Sequence, residues 1–219
     1  MENPALGEPE ILLLLRNRSA PPDLLTRIGK DPRWIASYPA KKGLARHPHT
    51  PAAIARDLLA HLQWADLAQI AEDAKIPVPV RRHAASLVRT RLPELSVGER
   101  IALARRAGRE LIRELAGSPE SAVLLALFGN PRLTDADAES IASRPDAPPA
   151  ALAGLADHPS RGAPLSVRLA LARNASTPVP VALRLVASLP AEDLDAVARD
   201  ESAPTIVRVA ASRRTRGVD

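Results

Sequence analysis

The chain has 219 residues, with 30 Lys and Arg against 25 Asp and Glu, a net charge of +5, no Cys and 2% aromatic residues. The missing thiols exclude disulfides, thiolate chemistry, Cys-based zinc sites and Cys-ligated iron–sulfur clusters. So few rings exclude an aromatic-lined cofactor pocket or a base-stacking platform. The core is left to Ala, Leu, Val and Ile, which suits closely packed helices.

In chain order, residues 1–9 read as a frayed lead-in and Glu10 to Asn17 as a first helix. The run Ile11 to Leu15 follows Glu8 and Glu10 and is too short for an export signal or a membrane span, so a cytoplasmic location without a membrane is expected. Pro21-Pro22 starts a helix over Leu24 to Gly29, and a connector, Arg33 to Tyr38, leads to a helix over Ala40 to Arg46. Pro51 opens Ala52 to Leu62, with Ile54, Leu58, Leu59 and Leu62 on one face. Helices over Leu67 to Ala74 and Val80 to Leu92 follow. Ser96, with Glu99 in the capping-box position, starts one long helix over Val97 to Ala116. Shorter helices follow over Ser121 to Gly129 and around Ile141, the latter started by Thr134.

One junction recurs. Leu44-Ala45-Arg46-His47-Pro48-His49-Thr50-Pro51 returns as Leu171-Ala172-Arg173-Asn174-Ala175-Ser176-Thr177-Pro178, with weaker copies at Asn17 and Asn130. The Asn or His is expected to close the outgoing helix in a left-handed cap. Thr50 and Thr177 are expected to N-cap the next helix, and the Pro after each to take its first position. The repetition is wider than the junction. Residues 21–90 and 148–217 align without a gap at an offset of 127, with about 22 of 70 positions identical, so an internal duplication is expected.

One unit then reads as a Pro-started helix, a linker with an acidic residue, and a second helix with Val-Arg near its start. Asp73, Pro77, Val80-Arg81 and Ala84 carry this pattern, as do Asp200, Pro204, Val207-Arg208 and Ala211. On these residues the chain resembles the HEAT-like α-solenoids, and its Pro-rich junctions resemble the variant leucine-rich repeats of bacteria. The resemblance implies a right-handed α-solenoid of helix pairs whose second helices line a concave face. The iron–sulfur module of some variant leucine-rich repeat proteins does not carry over to a chain without Cys. The expectation is an all-α fold: one solenoid domain over 1–219 with about five helical-hairpin repeats. It would comprise a repeat module 11–90, a bridging unit 91–137 and a repeat module 138–217.

No phosphate-binding Gly loop, nucleophile elbow or zinc-ligand spacing is present, so no enzyme, metal or cofactor is expected. His47 occupies the Asn column of the junctions and reads as a cap, and the carboxylates at helix starts answer the backbone's partial positive charge. Arg81 and Arg208 are expected to pair with Asp73 and Asp200, since charges near an interior need partners. Arg16, Lys42, Arg46, Arg82, Arg89 and Arg173 have no obvious partner and are the candidate binding residues. The expected function is a non-catalytic scaffold whose basic concave face holds an acidic protein segment. The alternative is nucleic-acid backbone binding resembling the HEAT-like DNA glycosylases, without the glycosylase chemistry. That chemistry uses aromatic residues at the lesion, and Trp34 is replaced by Arg161 in the second copy.

Overall fold

Helix starts are set by Pro and by capping side chains, and helix ends by residues that turn the chain within a few positions. In the computed structural model, which describes residues 7–217, the result is an all-α protein. Residues 1–6 of the expected lead-in lie outside the described residues. Among those described there are sixteen α-helices, one 3-10 turn and no strand, and no helix is long and apolar enough to cross a membrane.

The chain divides after Leu95 into two compact units. The first holds α1 (Glu8–Arg16), α2 (Pro22–Lys30), α3 (Pro32–Ala36), α4 (Tyr38–Arg46), α5 (Ala52–Leu59), α6 (Trp64–Glu72), α7 (Val78–Arg91) and the 3-10 turn Leu92–Glu94. The second holds α8 (Val97–Ala104), α9 (Arg109–Ala116), α10 (Ser121–Phe128), α11 (Asp135–Ala142), α12 (Pro149–Ala156), α13 (Leu165–Arg173), α14 (Val179–Ser188), α15 (Ala191–Arg199) and α16 (Thr205–Thr215).

Within each unit the helices alternate between two rows. In the first, α1, α4 and α6 follow one another, and α5 packs on α7. In the second, α9, α11, α13 and α15 form one row and α8, α10, α12, α14 and α16 the other. Packing between helices consecutive in sequence is most extensive in α6–α7 and α15–α16. The core between the rows is aliphatic. Leu25, Leu44, Leu59, Leu67, Leu103, Leu152 and Leu171 are fully buried, as is Phe128. Burying each leucine is worth about 1.5–3 kcal/mol. Small residues let helices approach: a Cβ on Gly29 of α2 would lie 2.7 Å from Ile54 Cγ2 of α5. Such a contact allows neither side chain to grow.

The offset of 127 is visible in the helix bounds. It carries α4 onto α13 and α6 onto α15 end to end, and the first residues of α5 and α7 onto those of α14 and α16. It also carries the start of α1 onto that of α11, beyond the stretch where the sequences align. The expected connector 33–38 contains a short helix, α3, because the Asp31 side chain accepts from the Arg33 amide and starts a turn around buried Trp34. The expected single helix over Val97 to Ala116 is two helices. Ser96 and Glu99 form the capping box, but the chain breaks at residues 105–108. The carbonyls of Ala104 and Ala107 are taken by the buried Asn130 side chain at 2.8 and 3.0 Å, which compensates for the helical bonds the break costs.

Candidate functional site

Seven helices, α1, α2, α4, α6, α10, α13 and α15, close on a side chain that accepts from an amide two residues further on. Asn17 accepts from Ser19, Asp31 from Arg33, His47 Nδ1 from His49, Asp73 from Lys75, Asn130 from Arg132, Asn174 from Ser176 and Asp200 from Ser202. This turn keeps the backbone extended: φ is −75° at Asn17, −78° at His47 and −74° at Asn174. Among the described residues no non-Gly residue has positive φ. The expected left-handed caps are therefore corrected, because the side chain supplies the turn without that conformation.

The buried members also reach back one repeat. His47 Nε2 donates to the Asn17 carbonyl at 2.9 Å, and Asn174 Nδ2 donates to the carbonyls of Ala142 and Arg144 at 2.6 and 2.7 Å. The two threonines do not cap the following helices. The N-cap residues are Pro51 and Pro178. The Thr50 hydroxyl points backward and donates to the Leu44 carbonyl at 2.7 Å, and the Thr177 hydroxyl is buried without a hydrogen-bond partner.

The acid–base pairs differ from the expected ones. Asp73 Oδ2 lies 3.9 Å from Arg46 Nη2, and Asp200 Oδ2 lies 3.5 Å from Arg173 Nε. Arg81 Nε donates instead to the Ile76 carbonyl at 3.1 Å, and Arg208 Nε is buried without a hydrogen-bond partner. The aspartate is committed to its own turn at the end of α6 or α15. That turn brings it to the end of the neighbouring row helix, α4 or α13, and not to the helix that follows. Lys42 Nζ, also on α4, lies 2.7 Å from Asp66 Oδ1, and the Tyr38 hydroxyl donates to Asp66 Oδ2 at 2.5 Å. Burial works to raise the Asp66 carboxyl, but Lys42 and Tyr38 outweigh it and hold the group below the ordinary carboxylate value. The Ser202 hydrogen bonds hold Asp200 low in the same sense, with a smaller contribution from Arg173.

Three of the six candidate binding residues, Lys42, Arg46 and Arg173, are thus ion-paired within the fold. Arg16, Arg82 and Arg89 are exposed. Other arginines are spent on backbone. Arg91 donates to the carbonyls of Ala60 and Leu62, Arg144 to that of Ala116, and Arg214 to those of Val186 and Leu189. Each serves the end of a helix about one repeat earlier, where carbonyls lack helical partners. No local sequence signal marks these residues, because the acceptor lies far along the chain.

Two grooves indent the second unit. One, of about 360 Å³, lies between α11 and α13 and is lined by Glu139, Ser143, Leu169, Arg173 and Asp200 among others. The other, of about 470 Å³, runs along α15 and α16. Among the described residues its lining is Ala198, Thr205, Arg208, Val209, Ser212, Arg213 and Arg216, and every charge among these is a guanidinium. Among the described residues no three His, Asp or Glu side chains gather as a metal-ligand set. Compared with protein-family models, curated proteins and solved structures, the chain matches none of them.

Proposed function

We propose that the chain is a non-catalytic binding scaffold of right-handed HEAT-like helix pairs, about five in number, that presents arginine to an acidic protein segment. The observation that carries this reading is the fate of the cations in matching helices. Lys42, Arg46 and Arg173, on the first helices of their pairs, are held by aspartates. The second helix α7 exposes Arg82 and Arg89, and α16 exposes Arg213 and, just past its end, Arg216; Arg89 and Arg216 hold the same repeat position. Guanidinium groups on a packed helix are preorganised to form paired, charge-assisted bonds to carboxylates.

The test is a titration of the chain with a labelled acidic peptide and with labelled duplex DNA over a series of salt concentrations. The peptide is expected to bind with a shallow salt dependence. The duplex is expected to bind only in the non-specific range, roughly 10⁻⁴ to 10⁻⁶ M at physiological salt. Duplex binding tighter than peptide binding, falling with a log–log slope of about −0.9 per phosphate contact, would replace this reading with nucleic-acid backbone binding.

A further inference from the structure

We infer that the groove along α15 and α16 is the seat of the acidic partner, and that it takes a segment carrying both carboxylates and an aliphatic side chain. This rests on the reading of the chain as an acid-binding scaffold and gives that reading a location. The groove's cations, Arg208, Arg213 and Arg216, stand with the hydroxyls of Thr205 and Ser212 and with no carboxylate among the described lining residues.

The duplication supplies an internal control. Arg81 and Arg208 hold one repeat position. In the first copy the Arg81 Nε donor is met by the Ile76 carbonyl. In the second the Arg208 Nε is buried with no acceptor. A buried donor left unmet weakens the fold, and an incoming carboxylate would meet it. Three other lining positions gained a polar or charged group, and one lost a cation. Thr205, Ser212 and Arg213 stand where the first copy has Val78, Ala85 and Ser86. Val209 stands where the first copy has Arg82, so the second copy keeps three cations, gains one hydroxyl and replaces an arginine with an aliphatic side chain.

The apolar part selects the class of partner. Ile206 and Val209 are 54% and 45% exposed. With Arg213 and Arg216 they follow one side of α16 at spacings of three and four residues, the spacing of a helix face. A peptide with an aliphatic residue near its acids covers Ile206 and Val209 while its carboxylates reach the arginines. A phosphate backbone would use the arginines and leave both aliphatic side chains in water.

The probe is a capped twelve-residue peptide of Glu and Leu at helical spacing, with a control in which Ser replaces Leu. Binding to the full chain is measured by fluorescence anisotropy at low salt. Three variants are compared with wild type: Arg213→Glu with Arg216→Glu, Val209→Glu, and Arg82→Glu with Arg89→Glu. All these positions are exposed, and circular dichroism checks that the helices persist. Both groove variants are expected to weaken the Glu/Leu peptide at least tenfold and the α7 variant to weaken it less than either, and the Ser control is expected to bind more weakly than the Glu/Leu peptide. If the peptide binds wild type and survives both groove variants, or is lost only in the α7 variant, this seat is wrong and the scaffold reading stands. If the peptide does not bind wild type, both fall. If the Ser control binds as tightly as the Glu/Leu peptide, or duplex DNA competes it off, the apolar selection is refuted.

Discussion

Asp66 and Asp193 hold one position of the duplicated repeat and live in different surroundings. Asp66 is ion-paired with Lys42 and hydrogen-bonded by Tyr38. In the second copy those partners are replaced by Leu169 and Leu165, and Asp193 Oδ2 is buried without a hydrogen bond. Removing one partner of a desolvated pair exposes the other to its full desolvation cost. Lys42→Met is therefore expected to destabilise the protein by about 1–2 kcal/mol, less than a fully buried pair would lose, because Lys42 keeps part of its side chain in solvent. Leu169→Lys, which restores the first-copy arrangement, is expected to stabilise by up to about 1 kcal/mol. The pH dependence follows from the lowered Asp66 carboxyl. A carboxyl held below its unfolded value binds its proton more readily in the unfolded chain. The pair's contribution is then fully present above the unfolded value of about 3.9 and is lost as pH falls through the lower folded value. Urea unfolding of wild type and Lys42→Met at neutral pH and at about pH 2 checks this. A stability gap unchanged at the acid end would refute the pairing. Little of this was legible in the sequence: the need of each charge for a partner was, but Lys42 and Asp66 meet across a row of helices.

At the scale of the element, Pro and Thr marked the junctions correctly in the sequence, but the direction of the threonine did not follow from its position. A Thr before a Pro serves either the helix ahead or the one behind, and only the packed junction decides. Thr50 serves the end of α4, and Thr177 serves neither neighbour by a hydrogen bond. The two therefore respond differently to loss of the hydroxyl with shape preserved. Thr50→Val leaves the Leu44 carbonyl without its side-chain donor and is expected to cost about 1 kcal/mol. Thr177→Val removes a buried polar group that has no partner and is expected to be neutral or stabilising. Thermal unfolding of both variants gives the comparison, and equal losses at the two sites would show that the junctions do not differ in this way. The break between α8 and α9 was hidden for a related reason. The apolar period runs on through Leu103, Leu111 and Ile112, whereas the acceptor role of Ala104 and Ala107 depends on Asn130, more than twenty residues further on. The match of α1 with α11 was hidden because their sequences share little beyond two acids: Glu10 and Asp137, at the same repeat position, each accept from the amide that precedes the helix.

At the scale of the whole molecule, stability is expected to be a sum of local terms, because within each unit the packing runs between paired helices and between neighbours in a row. The division after Leu95 then has a consequence. Ser96 begins the second unit with a complete capping box, its hydroxyl and amide both engaged with Glu99. The unit carries its own aliphatic core, from Leu103 and Phe128 to Leu171 and Val207. Its length lies in the ordinary range for an independent domain. It also contains the whole groove along α15 and α16. Residues 96–219 expressed alone are therefore expected to be helical and to unfold cooperatively. They are also expected to bind the Glu/Leu peptide within about threefold of the full chain, since preorganisation of the groove depends on neighbours inside the unit. Circular dichroism, thermal unfolding and the anisotropy titration measure these properties on one sample. A fragment without a cooperative transition would show that the second unit draws its stability from the first. A folded fragment that has lost the peptide would show that the binding residues are not confined to α15 and α16.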